Sequence, residues 1–296
     1  MKSAAIFLIA ITVVLSACIP ATSTVQSSNS PDSAYIQNKG SDTMVNLALL
    51  WAEEYQRLHK DIRISVTGGG SGTGITALMT NTVDIANASR AVKPEEIKEA
   101  ETHNFKPVEF VVARDAIGVI VHPSNPINQL TLDQVSKIYQ GRINNWSEVG
   151  GEDRPIVRLS RESNSGTHVY FLETVIRLGD KKNKSFFSDN TLLLPSSQGI
   201  IAEVSDNPNA IGYDGLGYIT KEVKLIAVAK NTKSEFVLPS VETVNDNRYP
   251  VSRDLYMYTH GEPSGPIKDY LNWIHGPEAQ KIVADSGFVP IKVTGS

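Results

Sequence analysis

Cysteine is almost absent from this chain, which carries a single one, Cys18, among 296 residues. A lone cysteine excludes an intrachain disulfide and leaves no other thiol for catalysis. The six histidines show no metal-ligand spacing such as His-Glu-x-x-His, so we expect neither a metal nor another cofactor. An excess of positive charge is also lacking. The formal net charge of −4 argues against nonspecific binding of nucleic acid.

Two common enzyme signatures are missing as well. The glycine-rich stretch GGGSGTG at residues 68–74 is not a Walker A loop, because no Gly-Lys-Ser/Thr follows it. It is not a nucleophile elbow either, since Thr73 stands where the second framing glycine belongs. His168 lies beside a Ser-Gly-Thr turn, but a helical histidine next to a cap is more often a packing or surface residue. We therefore predict that the protein is not an enzyme.

Long apolar runs are lacking except at the start, where residues 4–15 are apolar and follow Lys2. This run is too short for a typical membrane-spanning helix and is typical of a signal peptide. The four residues Leu-Ser-Ala-Cys that end at Cys18 resemble a bacterial lipobox; a plain signal peptide with an incidental cysteine is the alternative. We predict a signal peptide over residues 1–17, then a lipidated Cys18 and a flexible tether over 18–35. The protein would be extracytoplasmic and anchored to the cell membrane by lipid.

After this segment, short β-branched runs alternate with amphipathic helical patterns, which is typical of an α/β protein. Apolar residues at helical spacing predict a helix over residues 43–58. Thr131 and Gln134 form a capping-box pattern, and Pro277 and Gly287 bracket another helix. Buried strands are predicted at residues 62–66, 108–112, 117–121 and 156–159.

Three Ser/Thr-Gly turns each precede a helical pattern, at residues 40–44, 68–74 and 165–167. The start of a helix leaves N–H groups unpaired and carries partial positive charge, so it attracts anions. Glycine lets the backbone approach a ligand closely, and Ser and Thr add hydroxyl donors. The alternative is that all three turns are ordinary helix caps. Three in one chain favour an anion site.

Two arginines are candidates to complete such a site. Arg161 lies four residues before Ser165 and offers a planar fork suited to a tetrahedral oxyanion. Arg90 closes the stretch DIANASR just beyond a predicted strand. Taken alone, each is better explained by a surface ion pair. Arg161 gains weight as a site residue from its spacing to the Ser-Gly-Thr turn, and Arg90 gains little.

In combination and order, six stretches resemble the phosphate-binding lipoproteins of bacterial phosphate ABC transporters, the PstS-like solute-binding proteins. The resemblance covers residues 36–292 and implies a two-lobe periplasmic-binding-protein fold, with hinge strands and a ligand cleft between the lobes. It implies lobe I from residues 36–113 and 255–296, and lobe II from residues 114–254. The stretches are GSDTM, GGGSGTG followed by TNTVDIANASR, LTLDQVSKIYQGRINNW, RESNSGTH, NAIGYDGLGY and YLNWIHGPEAQKIVADSGFVPI.

The resemblance also implies which residues bind phosphate and which partners the protein has. Lobe I would contribute Thr43, the backbone of Met44, Ser71 and Ser89. Lobe II would contribute Arg161, Ser165, Gly166 and Thr167. The partners would be inorganic phosphate and the permease subunits of a phosphate ABC transporter, with the protein acting as a monomer that closes around the anion.

One position departs from the family pattern. Some members end the segment matching DIANASR with an aspartate that accepts the proton of bound phosphate, whereas this chain has Ser89-Arg90 there. We expect Asp42 to supply the acceptor and Arg90 to add charge compensation; Asp42 as a plain helix cap is the alternative. Two other functions stay open at this point: a receptor for sulfate or molybdate, and an anchored phosphatase.

Overall fold

Strands and helices alternate along most of the chain, as the α/β pattern predicts. The computed structural model describes residues 34–102 and 105–292. The predicted signal peptide, Cys18 and all of the tether except its last two residues lie outside the described residues. The strands are β1 (Ala34–Gly40), β2 (Ile62–Thr67), β3 (Ile85–Ala88), β4 (Pro107–Val121), β5 (Gln129–Thr131), β6 (Val157–Arg161), β7 (Leu192–Leu194), β8 (Ala210–Gly215), β9 (Lys224–Ala229) and β10 (Ser252–His260).

The helices begin and end close to the predicted signals. Thr131 forms the predicted capping box with Gln134, and the residue after that helix, Gln140, precedes a glycine with positive φ. The α-helices are α1 (Val45–Leu58), α2 (Ser71–Met79), α3 (Pro94–Thr102), α4 (Leu132–Tyr139), α5 (Gly166–Phe171), α6 (Ser197–Asp206), α7 (Val241–Asn245), α8 (Gly265–Ile274) and α9 (Pro277–Asp285). Three short 3₁₀ helices (Asp42–Met44, Trp146–Val149, Leu216–Tyr218) and a π-helix (Leu172–Ile176) complete the set among the described residues.

All the described strands belong to one curled sheet. Its main path runs β2-β1-β3-β10-β4-β8-β6-β7, and β9 pairs with both β4 and β5. The pairs β1–β2, β1–β3, β6–β7 and β6–β8 are parallel. Strand β4 runs antiparallel to β10, β8 and β9. The mixed α/β class is thereby confirmed.

One strand prediction was wrong in its number of elements. The runs at residues 108–112 and 117–121 are two parts of the single strand β4, Pro107–Val121. The polar residues Arg114 and Asp115 lie between the two predicted runs. Asp115 is fully buried and pairs with Arg253 on β10, so the strand continues through it. A charged residue breaks a buried strand only when no partner neutralises it.

The amphipathic helix α1 packs its apolar face into the core. Leu47, Trp51 and Tyr55 are buried, while Leu58 at its end is 42% exposed, contrary to the predicted apolar face. The indole N–H of Trp51 donates to the carbonyl oxygen of Ala279 over 3.0 Å, which fixes α1 against α9. This contact holds the first helix start at a defined position on the sheet.

The predicted lobe boundaries fall inside continuous strands. The boundary at 113/114 lies within β4, and the boundary at 254/255 lies within β10. These two strands pair with each other, and the pairing shifts register between Leu255 and Tyr256. The division into lobes at these residues stays a prediction. Within residues 34–102 and 105–292, no helix is both long enough and apolar enough to span a bilayer.

Candidate functional site

The candidate site lies where parallel strands end. Strands β1, β3 and β6 run into residues 41–44, Ser89 and residues 162–165 respectively, and β2 runs into the glycine-rich turn. Ligands of open α/β sheets bind at the carboxyl ends of the strands, where following turns and helix starts meet. Through the pairings β3–β10–β4–β8–β6, strand β6 runs opposite to β1–β3. The third Ser/Thr-Gly turn therefore approaches the first two from the other part of the curled sheet.

The first and third turns meet through two threonines. Thr43 and Thr167 are 1% and 0% exposed, and their hydroxyl oxygens lie 2.7 Å apart. Thr43 belongs to the 3₁₀ turn after β1, and Thr167 to the first turn of α5. Residues 124 positions apart in the chain thus bring two hydroxyl groups to the same point. The amide of Met44 donates to the carbonyl of Ser41 over 3.1 Å, so its predicted contact with the anion stays a prediction.

The second turn brings Ser71 and Ser89 to the third one. The amide of Ser89 donates to the Ser71 hydroxyl over 3.0 Å, and the two hydroxyl oxygens lie 3.3 Å apart. Gly166 approaches both serines so closely that an added Cβ would lie 2.3 Å from Ser71 Oγ and 2.6 Å from Ser89 Oγ. Only a residue without a side chain fits between these hydroxyls.

A second close approach lies on the other side of the glycine-rich turn. Gly69 and Gly70 have φ of 112° and 94°, a conformation that favours glycine. Asn164 donates from Nδ2 to the Gly69 carbonyl over 2.9 Å, and its own carbonyl accepts from the Gly72 amide over 3.2 Å. An added Cβ on Gly70 would lie 2.7 Å from that same carbonyl. These glycines therefore allow close backbone contact with the RESNSGTH segment. The part that Asn164 plays in this contact was not predicted from the sequence.

Ser165 caps helix α5. Its hydroxyl accepts from the amide of Thr167 over 3.2 Å, and its own amide donates to the carbonyl of Glu162 over 2.9 Å. Ser165 therefore caps its helix, as the alternative interpretation predicts, and its contact with an anion stays a prediction. The cap also fixes the direction of the amides that follow it, which is what an anion site at a helix start requires.

Arg161 is the most buried cation among the three arginines beside the site, with 1% exposure. One Nη group lies 3.0 Å from Asp42 Oδ2, and the other donates to Ser197 Oγ over 2.7 Å. The fully buried Asp214 has an oxygen 3.8 Å from the guanidinium. Arg161 Nε has no hydrogen-bond partner among the described residues. A donor-only group held at the end of β6 with a free N–H is suited to an oxyanion.

Two carboxylates accompany this arginine. Asp42 Oδ2 also accepts from the amide of Ser197 over 2.9 Å, so Asp42 does not cap its own helix. Asp214 accepts from Ser197 Oγ and from the amide of Gly215. Burial raises the pKa of Asp214 to about 6, against the opposing effect of the positive charge on Arg161. Asp42 and Asp214 are thus both paired with Arg161, the arginine that is predicted to bind the anion.

Arg90 is paired with an acidic partner on α3. Its guanidinium forms two hydrogen bonds to the carboxylate of Glu96, at 2.6 and 2.8 Å, and a third to the carbonyl of Ala91. Arg90 is 7% exposed, and its Nε has no partner among the described residues. Its charge is therefore already compensated at α3, and a part in compensating phosphate stays a prediction.

Arg253 is a residue of this site that we missed from the sequence. It donates to Ser89 O over 2.8 Å, to Thr167 Oγ1 over 3.0 Å and to Asp115 Oδ2 over 2.9 Å. It lies inside β10, far from any turn motif, so no local pattern pointed to it. The available signal was a charged residue within an apolar strand pattern, together with Asp115 in β4.

His168, which we weighed as a base, is placed for packing. It is 4% exposed and stacks on Phe187 at 4.4 Å between ring centroids. Its Nδ1 lies 2.8 Å from the carbonyl of Arg161, so this nitrogen carries the proton that it donates. Burial lowers the pKa of His168 to about 4. Among the described residues, no group of three or more His, Cys, Asp or Glu side chains is placed to hold a metal ion.

The fold and the donor-rich site at the strand ends are typical of solute-binding proteins, and comparison with known proteins agrees. The PBP superfamily domain matches residues 25–278. The phosphate-binding protein PstS of Pseudomonas aeruginosa is 33% identical over 276 residues, covering 88% of this chain and 84% of that protein. PstS of Bacillus subtilis is 30% identical, covering 85% and 79%. The chain therefore belongs to the PBP superfamily and, within it, to the PstS-like phosphate-binding proteins.

Solved structures support the same assignment. A phosphate ABC transporter substrate-binding protein from Clostridium perfringens, solved with bound phosphate, has a TM-score of 0.77 and 32% identity. The match covers 87% of this chain and 100% of that one. A phosphate transport receptor from Vibrio cholerae has a TM-score of 0.70 and 26% identity, covering 86% and 100%. The predicted two-lobe binding-protein fold is thereby confirmed.

Proposed function

We propose that this protein binds inorganic phosphate outside the cytoplasm and delivers it to the permease of an ABC transporter. The observation that carries the proposal is the convergence of hydroxyl groups from three helix starts, at Thr43, Ser71 and Thr167. Asp42, which directly precedes Thr43, pairs with the buried Arg161. The PstS-like relatives and the phosphate-bound neighbour give the anion its identity.

The donors suffice for tight binding. A hydrogen bond to a charged group contributes about 1.5 to 3 kcal/mol net. A micromolar dissociation constant needs about 8 kcal/mol, so a few such bonds exceed it even after desolvation and ordering. Because the donors come from both predicted lobes, phosphate stabilises the closed arrangement of the cleft. The closed form is the one that a permease would recognise.

Arg161 and Asp42 would have different roles in binding the anion. We infer that Arg161 grips unprotonated oxygens of phosphate and that Asp42 accepts its remaining proton. Oδ2 of Asp42 lies 3.0 Å from the Arg161 guanidinium, so Asp42 is close to any phosphate oxygen that Arg161 binds. A carboxylate in this position accepts a hydrogen bond from protonated phosphate and so stabilises its binding, and it repels sulfate, which has no proton.

Calorimetry with phosphate, sulfate and molybdate tests the proposal on the purified protein. We expect binding of phosphate and little of the others, and at least about a hundredfold loss with Arg161→Ala, since two charged hydrogen bonds disappear. Arg154→Ala, a partly exposed arginine of the same predicted lobe, serves as the control and keeps wild-type affinity. Near-normal phosphate binding by Arg161→Ala would refute the site. Hydrolysis of a phosphomonoester by the wild type would instead support a phosphatase.

Asp42→Asn in the same panel tests discrimination. We expect weaker phosphate binding and sulfate binding that is unchanged or stronger, so the ratio of the two affinities falls. An unchanged ratio would remove Asp42 as the proton acceptor and leave it as a counter-ion of Arg161.

Lipid anchoring through Cys18 is part of the proposal, and it rests on the sequence pattern. Membrane fractionation of cells producing the wild type and Cys18→Ser tests it. We expect the wild type in the membrane fraction and the variant in the soluble extracytoplasmic fraction. Equal distribution of the two proteins would show that Cys18 carries no anchor.

A further inference from the structure

Arg253 lies on β10, next to β4, and its side chain contacts residues of two of the predicted turns. It is 5% exposed, and one face of its guanidinium lies over the ring of Tyr170, at 5.6 Å from the centroid. Its Nη2 contacts Asp115 Oδ2 and Thr167 Oγ1, and its Nη1 contacts the carbonyl of Ser89. One side chain therefore holds Ser89 and Thr167 from opposite sides of the predicted cleft.

Asp115 neutralises this arginine before it reaches the site. The two residues are direct partners in the β4–β10 pairing, and Asp115 is fully buried. The other carboxylate oxygen of Asp115 accepts from the amide of Leu216 over 3.0 Å. Because the positive charge is already paired, the effect of Arg253 on an anion comes mainly from the hydrogen bonds that it imposes on its neighbours.

Those hydrogen bonds have a fixed direction. A guanidinium has donors only, so Thr167 Oγ1 must accept from Arg253 and keeps its own proton for another acceptor. Among the described residues, the hydroxyl in reach is Thr43 Oγ1 at 2.7 Å. When Thr167 donates to Thr43, the proton of Thr43 is left for a group in the cleft. The hydrogen bonds then run from Arg253 to Thr167 to Thr43 to the anion.

We propose that Arg253 is a positioning and specificity-determining residue, which makes Thr167 and Thr43 donors and so reserves this side of the site for unprotonated oxygens. The proposal rests on the proposed function, because it concerns the same anion. The hydroxyl proton of Thr43 then needs an acceptor, and an unprotonated oxygen of the ligand supplies one better than a protonated oxygen does. The protonated oxygen of phosphate is thereby left for the carboxylate of Asp42.

The competing explanation is that Arg253 is only half of a structural ion pair between two strands. Both explanations predict a less stable protein when Arg253 is changed. They differ for Thr43, which Arg253 does not contact. If the chain of hydrogen bonds operates, the contribution of the Thr43 hydroxyl to phosphate affinity depends on Arg253. If Arg253 is only part of a structural ion pair, substitutions at Thr43 and Arg253 change phosphate affinity independently.

A double-mutant cycle with Arg253→Met and Thr43→Val tests the inference by phosphate calorimetry. We expect Thr43→Val to weaken binding about tenfold or more in the wild-type background, as for a lost hydrogen bond to a charged group, and at most threefold when Arg253 is Met. The control pair Arg114→Met with Thr43→Val, using a partly exposed arginine of β4, should show additive changes in the same calorimetry.

Thr167→Val decides the question if Arg253→Met does not fold, since it interrupts the chain and leaves the Arg253–Asp115 pair in place. In this background too, Thr43→Val should lose most of its effect. Equal effects of Thr43→Val in all backgrounds would overturn the role of Arg253 while the wild type still binds phosphate. A wild type that binds no phosphate would overturn the proposed function itself.

Discussion

At the scale of single residues, the charges around Arg161 do not balance. One guanidinium faces two carboxylates, Asp42 at 3.0 Å and the fully buried Asp214 at 3.8 Å. Oδ2 of Asp214 has no hydrogen-bond partner among the described residues. A buried carboxylate with an unsatisfied oxygen favours its protonated form. This is the physical reason why burial raises the pKa of Asp214 to about 6, even with Arg161 beside it.

The raised pKa of Asp214 predicts a pH-dependent stability. In the folded protein the pKa is about 6, against a reference value of 3.8, so the folded state binds the proton more strongly than the unfolded chain. The contribution of Asp214 to the free energy of unfolding is therefore greatest below pH 4 and falls as pH rises from about 4 to about 6. Two pKa units correspond to about 3 kcal/mol.

Urea unfolding of the wild type and Asp214→Asn between pH 4 and 7, without phosphate, measures this contribution. His168, whose pKa burial lowers to about 4, changes stability in the opposite direction over much of the same range but is present in both proteins. The difference between the two free energies of unfolding isolates Asp214. We expect the wild type to lose stability relative to Asp214→Asn up to about pH 6, and a constant difference above it. A difference independent of pH would contradict the buried carboxylate.

At the scale of elements, local signals were enough to predict the helix starts. Ser165 before α5, Thr131 before α4 and the Gly-rich turn before α2 are each written in a few consecutive residues, because capping and positive φ are local properties. The predicted site residues Thr43, Ser71, Ser89, Gly166 and Thr167 lie together for the same reason: each follows the end of a strand.

What the sequence did not predict depends on contacts between distant residues. Asp115 lies between two predicted strand runs, and its partner Arg253 is 138 residues away. The same distance concealed the part that Arg253 plays at Thr167. Asn164 was not predicted because its role is to contact the backbone of Gly69 and Gly72. Residue pairs that form across a sheet or between distant turns cannot be predicted from a short window of sequence.

The contact between α5 and the two serines predicts that Gly166 limits how closely the cleft can close. An added Cβ would lie 2.3 Å from Ser71 Oγ, which is too close for any real contact. The residue has no positive φ, so alanine fits the backbone and the clash arises only when the two turns meet. We expect Gly166→Ala to weaken phosphate binding by about tenfold or more, with little change in the thermal stability of the ligand-free protein.

Gly72→Ala is the matched control for Gly166→Ala. Its added Cβ would lie 3.5 Å from the carbonyl of Asn164, an ordinary van der Waals distance. Calorimetry should give the control nearly wild-type affinity. Equal affinities for Gly166→Ala and the wild type would show that the turns do not come this close when the anion is bound.

At the scale of the whole molecule, β4 and β10 contain both predicted lobe boundaries and the Asp115–Arg253 pair. Groups on either side of these boundaries meet directly, as Thr43 meets Thr167 and Asp42 meets Arg161. A ligand that bridges such groups favours the closed arrangement by its difference in affinity for the closed and open states. Two strands that run through both lobes are the natural place for the chain to bend.

Small-angle X-ray scattering with and without phosphate tests this bending. We expect phosphate to reduce the radius of gyration of the wild type and to raise its free energy of unfolding, by about 2.7 kcal/mol at a hundred times the dissociation constant. Arg161→Ala, if it binds a hundredfold more weakly, would be only about half occupied at the same phosphate concentration, so both changes should be clearly smaller. Sulfate at that concentration should leave the wild type unchanged. If calorimetry shows phosphate binding while the radius of gyration stays constant, the anion binds without closing the cleft, and β4 and β10 are not hinges.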